Sequence, residues 1–213
     1  MADLAVTRAP LAPRLALADM PAPGRYGRQD GPAGLTVSER RGLSLASLIT
    51  RKDQAAMLVA LVKSAYGLDL PGPGRMSGGQ MADGRHISFL SAGPAQYLAL
   101  AEGATGFAAE LTATLGKRAM IAAQTDGRCV LRLSGPMARK VLAKGVTIDL
   151  HPRVFNPGDT ALTQVHHIGV HLWQLDAVPT YEVALFRSFA ESFWDWLSAS
   201  AAEFGYEVVE DKS

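Results

Sequence analysis

Hydrophobic and polar positions follow two different periods between residues 39 and 124. Some stretches alternate nearly every second residue, as strands do, and others repeat about every 3.6 residues, as helices do. The predicted strands are 39–49, 86–91, 96–101 and 118–124, and the predicted helices are 51–66 and 105–115. The order along this part of the chain is therefore strand, helix, strand, strand, helix, strand.

The second half repeats this order. The predictions are strand 129–133, a helix from Pro136 to Gly145, strands 161–168 and 170–175 in a hairpin around Gly169, strand 180–185, a long C-terminal helix and a short strand at 206–209. Each half has the order of a ferredoxin-like, split βαβ plait. The expected fold class is therefore α+β, with two plait units.

Helix ends and turns are predicted from a few residues. Thr50 with Asp53 resembles a capping box for the first helix, and Ser188 with Glu191 forms a full one for the last. Gly67 is expected to end the first helix in a left-handed conformation. The glycine-rich stretch 72–84 lacks the Lys-Ser/Thr of a phosphate-binding loop and does not lead into a helix, so we expect a mobile connection.

Residues 1–36 contain five prolines and four glycines, and no helical or strand period is visible there. The prediction is a flexible Pro/Gly-rich N-terminal arm. Two interpretations stay open: disorder in the free chain, or ordering of the arm on a neighbouring subunit.

Composition limits the function. Charged residues make up 19% of the chain and the net charge is +1, so the field that attracts nucleic acid is absent. The longest apolar run, residues 55–62, is much shorter than the roughly 20 residues that span a bilayer. No signal-peptide-like core is visible at the N-terminus. We expect a cytoplasmic protein with no membrane or nucleic-acid partner.

Candidate metal and thiol chemistry is weak. The single cysteine, Cys129, is predicted to be a buried strand residue. His166, His167 and His171 lie close in sequence, but no ligand motif of the His-Glu-x-x-His kind is present, and we interpret them as surface strand histidines. No metal site and no cofactor site is predicted in this chain.

Two further places are candidate binding surfaces instead of catalytic ones. His151 and Arg153 follow Asp149 in an irregular stretch, where they either hold the loop by hydrogen bonds or contact a partner. No nucleophile elbow of the Gly-x-Ser-x-Gly kind occurs, and Ser134 fits a helix cap better than a nucleophile. No catalytic residue is predicted.

The last helix is rich in aromatic residues. At 100° per residue, one face is predicted to form a core stripe: Phe189, Phe193, Trp196, Leu197 and Phe204. Trp194 lies off this stripe. It is expected either to pack against another element of the chain or to anchor a partner, because Trp is common at interface hot spots.

Several blocks in the second half carry a resemblance to a known family. They are LRLSGP at 131–136, VLAKG at 141–145, DLHPRVF at 149–155, LWQL at 172–175, RSFA at 187–190 and WDWL at 194–197. These blocks resemble the sarcosine oxidase gamma family, convincingly over residues 128–204 and more weakly back to residue 37. The DLHPR block is fairly specific. Val146 stands where the family often has Cys, which argues against an essential thiol there.

The resemblance implies a non-catalytic gamma subunit in a heterotetramer with alpha, beta and delta subunits. It implies oxidation of sarcosine to glycine, with FAD, FMN, NAD and tetrahydrofolate on the partner subunits. The implied fold is similar to the folate-binding part of aminomethyltransferases, as a single domain over residues 37–213 with halves at about 37–125 and 126–213. The alternatives are a gamma-like subunit of a related N-methyl amino acid dehydrogenase and a free-standing tetrahydrofolate-binding module.

Overall fold

The computed structural model describes residues 14–18 and 22–211. Four helices are present in these ranges: α1 Ala55–Tyr66, α2 Phe107–Leu115, α3 Ala138–Leu142 and α4 Ala190–Ala201. The strands are β1 Gly24–Tyr26, β2 Leu35–Glu39, β3 Leu43–Thr50, β4 Met76–Gln80, β5 His86–Gly93, β6 Gln96–Glu102, β7 Ala119–Ala123, β8 Arg128–Ser134, β9 Thr160–Val165, β10 Ile168–Asp176, β11 Thr180–Phe186 and β12 Tyr206–Val208.

The strands form two sheets that pack face to face. The five-stranded sheet has the order β4-β5-β6-β3-β7 and the seven-stranded sheet has the order β1-β12-β2-β8-β11-β10-β9. A small apolar core that includes Leu45, Leu100 and Trp173 lies between them. Helices α1 and α2 cover the outer face of the first sheet, and α3 and α4 cover that of the second, because each helix buries one apolar face.

The first sheet confirms the predicted plait. Without its edge strand β4, its order is β5-β6-β3-β7, which is the second, third, first and fourth strand of the plait, and every neighbour is antiparallel. The second sheet repeats this for β10, β11 and β8. The place beside β8, however, is taken by β2, and β12 pairs in parallel with β2.

The position of β2 changes the predicted picture of the N-terminal region. Strand β1 and the start of β2 lie within residues 1–36, where no strand was predicted, so that prediction is wrong for Gly24–Tyr26, Leu35 and Thr36. Leu17 is buried in the core of the second sheet, and the Glu39 carboxylate accepts hydrogen bonds from the backbone N–H groups of Ala16 and Leu17. The rest of the predicted arm, residues 1–13 and 19–21, lies outside the described residues.

Several local predictions are corrected. Neither capping box forms: α1 and α4 begin after Gln54 and Phe189, and neither residue makes a side-chain cap hydrogen bond. Gly67 does end α1, with φ 68°. The glycine-rich stretch contains strand β4, where a Cβ on Gly78 would lie 2.5 Å from Ser88 Oγ of the neighbouring strand, so glycine is required for that approach.

The hairpin in the second half turns two residues earlier than predicted. His166 and His167 adopt φ 46° and 71°, and Gly169 lies inside β10 opposite Gln164. Histidine tolerates the left-handed region better than most residues, and the open tip of a hairpin leaves room for its ring.

Candidate functional site

A buried ion network lies where the two sheets meet the C-terminus. Arg40, whose side chain is 1% exposed, follows β2 directly. Its guanidinium nitrogens contact Glu102 Oε1 at 2.5 Å, Glu182 Oε1 at 2.8 Å and Asp211 Oδ1 at 3.1 Å. Arg132 Nη2 approaches the same Glu182 oxygen at 2.8 Å. Buried charges must be paired, and the fork of an arginine suits several carboxylates at once.

The network joins distant parts of the chain. Glu102 ends β6 of the first sheet, Glu182 and Arg132 face each other on β11 and β8 of the second, and Asp211 follows β12. Burial raises the pKa of Glu182, while the two guanidinium groups act in the opposite direction. The arrangement is suited to fixing the two sheets and the C-terminus together.

A cleft of about 320 Å³ opens beside this network. Its walls include Trp173, His86, Glu102, Arg132 and Glu182. Both carboxylates already contact arginines. Ser88 and His86 also line the cleft, but Ser88 Oγ lies 3.4 Å from His86 Nδ1, which is longer than the hydrogen bond that joins a nucleophile to its base. The cleft can accept a small polar molecule, but its side chains are used for ion pairing.

The three clustered histidines divide into two environments. His166 and His167 are exposed at the β9–β10 turn. His171 is buried, and its Nε2 lies 2.8 Å from Thr160 Oγ1, so the prediction of a surface position is wrong for this residue. Burial, together with the nearby charge of Arg128, lowers the pKa of His171 to about 4, although a hydrogen bond to the Ser91 backbone acts against this. His171 is therefore a neutral core residue at physiological pH.

Metal and thiol chemistry receive no support from geometry. In the two described ranges of the chain, no group of three or more His, Cys, Asp or Glu side chains is arranged to hold a metal ion. Cys129 is buried on β8, as predicted, and its Sγ lies 3.6 Å from Glu39 Oε1. Burial and the Glu39 charge raise the pKa of the thiol, so it stays protonated and unreactive.

The candidate interface loop is exposed and held by its own hydrogen bonds. Asp149 Oδ1 accepts from the His151 backbone N–H at 2.7 Å, and His151 Nδ1 accepts from the Arg153 backbone N–H at 3.2 Å. Both side chains that the sequence singled out are therefore close together on the surface. The adjacent Val154 is 61% exposed.

The aromatic residues of the last helix differ from the predicted stripe. Phe189 is 47% exposed, because it belongs to a turn of 3₁₀ helix before α4 and does not share the buried face. Trp194 is 8% exposed, and its ring meets that of Tyr206 edge-on at 6.0 Å between centroids. Of the two alternatives for Trp194, the structure favours packing against another element of the chain.

A position that sequence reasoning missed is Arg128, at the start of β8. Its guanidinium carbon lies 3.9 Å from the centroid of the Phe186 ring, on the directly opposite residue of β11. Neither residue belongs to a motif, so only the pairing of β8 with β11 reveals the contact.

Comparison with known proteins identifies the family. Residues 51–203 match the model of the sarcosine oxidase, gamma subunit family. The chain belongs to this family. It is 34% identical to the sarcosine oxidase subunit gamma of Corynebacterium sp. (strain P-1) over 151 residues, which is 70% of this chain and 72% of that one. The corresponding subunit of Arthrobacter sp. is also 34% identical, over 152 residues, with the same shares covered.

Solved structures agree with the family assignment. A chain of the heterotetrameric sarcosine oxidase from Corynebacterium sp. U-96, in complex with pyrrole 2-carboxylate, superposes with a TM-score of 0.74 and 25% identity, covering 90% of this chain and 96% of that one. Aminomethyltransferase T of the glycine cleavage system from Bartonella henselae superposes with a TM-score of 0.62 and 17% identity, covering 83% of this chain and 48% of that one. The second likeness confirms the expected aminomethyltransferase-like fold.

No helix within the described ranges is both long and apolar enough to cross a bilayer.

Proposed function

We propose that this chain is the gamma subunit of a heterotetrameric sarcosine oxidase and that it contributes structure instead of catalytic groups. The observation that carries the proposal is its nearly complete mutual coverage with one chain of the Corynebacterium sp. U-96 enzyme. The buried, protonated Cys129 and the neutral core residue His171 agree with a structural role, because neither is poised for chemistry.

In this proposal the partners are alpha, beta and delta subunits in the cytoplasm. They carry FAD, FMN and NAD, oxidise sarcosine to glycine, and pass the one-carbon unit to tetrahydrofolate or release it as formaldehyde. The ion network around Arg40 keeps the two sheets of this chain in one arrangement, so that a fixed surface is presented to the partners. A gamma-like role in a related N-methyl amino acid dehydrogenase would use the same surface, and substrate profiling of the assembled enzyme separates the two.

The test is reconstitution. We expect the purified chain to be colourless and to bind the flavin-bearing subunits encoded with it in a stoichiometric complex that oxidises sarcosine. The measurements are size-exclusion chromatography with flavin absorbance and an oxidation assay. A chain that stays monomeric in the presence of those subunits would contradict the proposal.

A tetrahydrofolate-binding module is the second candidate. One observation favours it: the 320 Å³ cleft brings the carboxylates of Glu102 and Glu182 beside the Trp173 ring, and an acid and an aromatic surface are what a pterin needs. Against it, both carboxylates pair with arginine. A basic residue would also be needed for the glutamyl tail, and Arg187 instead donates hydrogen bonds to the Arg14 and Leu15 carbonyl groups. Calorimetric titration with tetrahydrofolate tests it, and an absence of heat at saturating ligand would remove it.

A further inference from the structure

The facing surfaces of the two sheets separate at one end and form a small cleft of about 220 Å³. Its lining includes Ile49, Leu98 and Gln124 on the side of the first sheet and Arg128, Leu162 and His171 on the side of the second. It lies at the opposite end of the sheet interface from the Arg40 network, since β8 and β11 run from Arg128 and Phe186 at one end to Arg132 and Glu182 toward the other.

Of the residues that the structure describes, Arg128 alone lines this cleft with a charged side chain. Among residues 14–18 and 22–211, no carboxylate oxygen lies within 4.0 Å of its guanidinium, and its buried Nε has no hydrogen-bond partner. Burial lowers its pKa. A half-buried guanidinium with an unused donor destabilises a folded protein, since the donor has lost its hydration without gaining a hydrogen-bond partner. The described part of the chain supplies no carboxylate to offset that loss.

Apolar side chains surround the mouth of the cleft. Leu162 is 60% exposed and Phe186 is 50% exposed, and the Arg128 guanidinium lies over the Phe186 ring. An arginine held flat against an aromatic ring is preorganised, so it loses less entropy when it binds a carboxylate. An unpaired arginine inside an apolar rim is the composition of an interface hot spot.

His171 contributes no charge to the cleft. It is neutral at physiological pH, its Nε2 contacts Thr160 Oγ1, and its ring packs edge-on against Trp173. The cleft therefore has a single positive charge in an otherwise neutral and largely apolar surrounding. A carboxylate that enters it meets little competition from other charges.

We propose that this cleft is a docking site for another subunit of the same complex, and that a carboxylate side chain of that subunit pairs with Arg128 while its apolar neighbours cover Leu162 and Phe186. The inference rests on the proposed function. A protein partner suits the site better than a free small anion, because the cleft itself is small and the exposed apolar side chains lie around it, where only a larger surface would bury them.

The test measures binding of full-length variants to the flavin-bearing subunits. Arg128→Gln should weaken binding at least about tenfold, because truncation of one partner of a buried charge pair leaves the other charge buried and unpaired. Arg128→Lys should restore part of it. Leu162→Ser should also weaken binding, and since that side chain is exposed, its loss should not disturb folding. The matched control is Lys140→Gln, an exposed charge on α3 at the opposite face of the second sheet.

A second measurement does not depend on affinity. A photo-crosslinking amino acid at Leu162 should form a crosslink to a flavin-bearing subunit, whereas the same group at the exposed Val178, at the other end of the β10–β11 hairpin, should not. Equal binding of Arg128→Gln and Lys140→Gln, or no crosslink from Leu162 in an assembled complex, would overturn the docking site and leave the proposed function intact. Failure of the unaltered chain to bind at all would overturn both.

Discussion

The two sheets share one topology but are assembled from the chain in different ways. All five strands of the first sheet lie between Leu43 and Ala123, in one continuous stretch. The second sheet takes β8 to β11 from the second half but adds β1 and β2 from the start of the chain and β12 from its end. The insertion of β2 beside β8 moves β12 out by one strand position.

The difference shows where buried ion pairs are needed to hold distant segments of the chain together. A sheet made from one stretch is specified by its own hairpins and helices, whereas a sheet that recruits both ends of the chain must hold segments of high sequence separation, whose closure costs entropy. The buried Arg40 network lies where these segments meet, and it includes Asp211, the last residue that the structure describes. The ion pairs of the first half are more exposed: Arg85 with Asp83 and Glu110 is partly buried, and Lys63 with Asp69 is exposed.

The largest expected effect comes from breaking that network. Arg40→Met should destabilise the protein by about 3–5 kcal/mol, because it removes the buried cation that contacts Glu102, Glu182 and Asp211 together and leaves Glu182 to Arg132. Urea unfolding followed by circular dichroism measures this. Arg132→Met is the control, since Glu182 keeps Arg40 in that variant. A change for Arg40→Met of less than about 1 kcal/mol would mean that the network does not fix the second sheet.

The second prediction concerns pH and the face between the sheets. The pKa of His171 is about 4 in the folded protein and about 6.5 in the unfolded chain. The unfolded chain therefore binds the extra proton between these values. The free energy of unfolding should fall by about 3 kcal/mol as the pH is lowered from 6.5 to 4. Above pH 6.5 the contribution of the neutral His171 to stability should be fully present.

Urea unfolding at several pH values tests the His171 prediction. His171→Gln should remove most of this slope. An unchanged slope in His171→Gln would assign the pH dependence to other groups.

A smaller effect is expected from replacing Gly145, which packs closely against Trp196 in the second half of the chain. A Cβ on Gly145 would lie 2.6 Å from the Trp196 ring, so Gly145→Ala should cost about 1–3 kcal/mol through overpacking. Gly169→Ala is the matched control, because nothing lies within 4 Å of its added Cβ. Thermal unfolding compares the two, and equal melting temperatures would show that Trp196 moves aside freely.

The smallest effect is expected in the first half. Lys63→Gln removes the exposed pair with Asp69 at the end of α1 and should change stability by no more than about 0.5 kcal/mol. Urea unfolding of Lys63→Gln and Arg40→Met under the same conditions compares the free energies of unfolding lost with the exposed pair and with the buried network. A Lys63→Gln effect as large as that of Arg40→Met would remove the contrast between the two halves.

The sequence pattern predicted most helices and strands, but it did not predict their ends well. The periodic stretches that became α1, β6 and β11 were predicted because burial of one face imposes a visible period. Strands β1, β2 and β4 were missed, since proline and glycine lie in or close to each of them. Both capping boxes failed, because local hydrogen bonds of this kind are weak and backbone geometry set by the sheets overrides them.

The candidate sites show the same division. Cys129 was placed correctly, because an apolar strand surrounds it in the sequence. His171 was not, because its buried position depends on how the two sheets pack. Arg40 and Arg128 carry no motif at all, and their roles arise from residues far away in the chain, such as Asp211 and Phe186.

The sequence by itself determined the order of elements, the α+β plait class and, through blocks such as DLHPR, the family resemblance that the comparisons confirm. Only the tertiary structure decided that β2 enters the second sheet, which charges are buried together and which cation stays unpaired. The physical reason is the sequence separation of the contacts. Periodicity reflects the burial of one face of a single element, whereas sheet order and charge pairing depend on contacts between segments that can be more than a hundred residues apart.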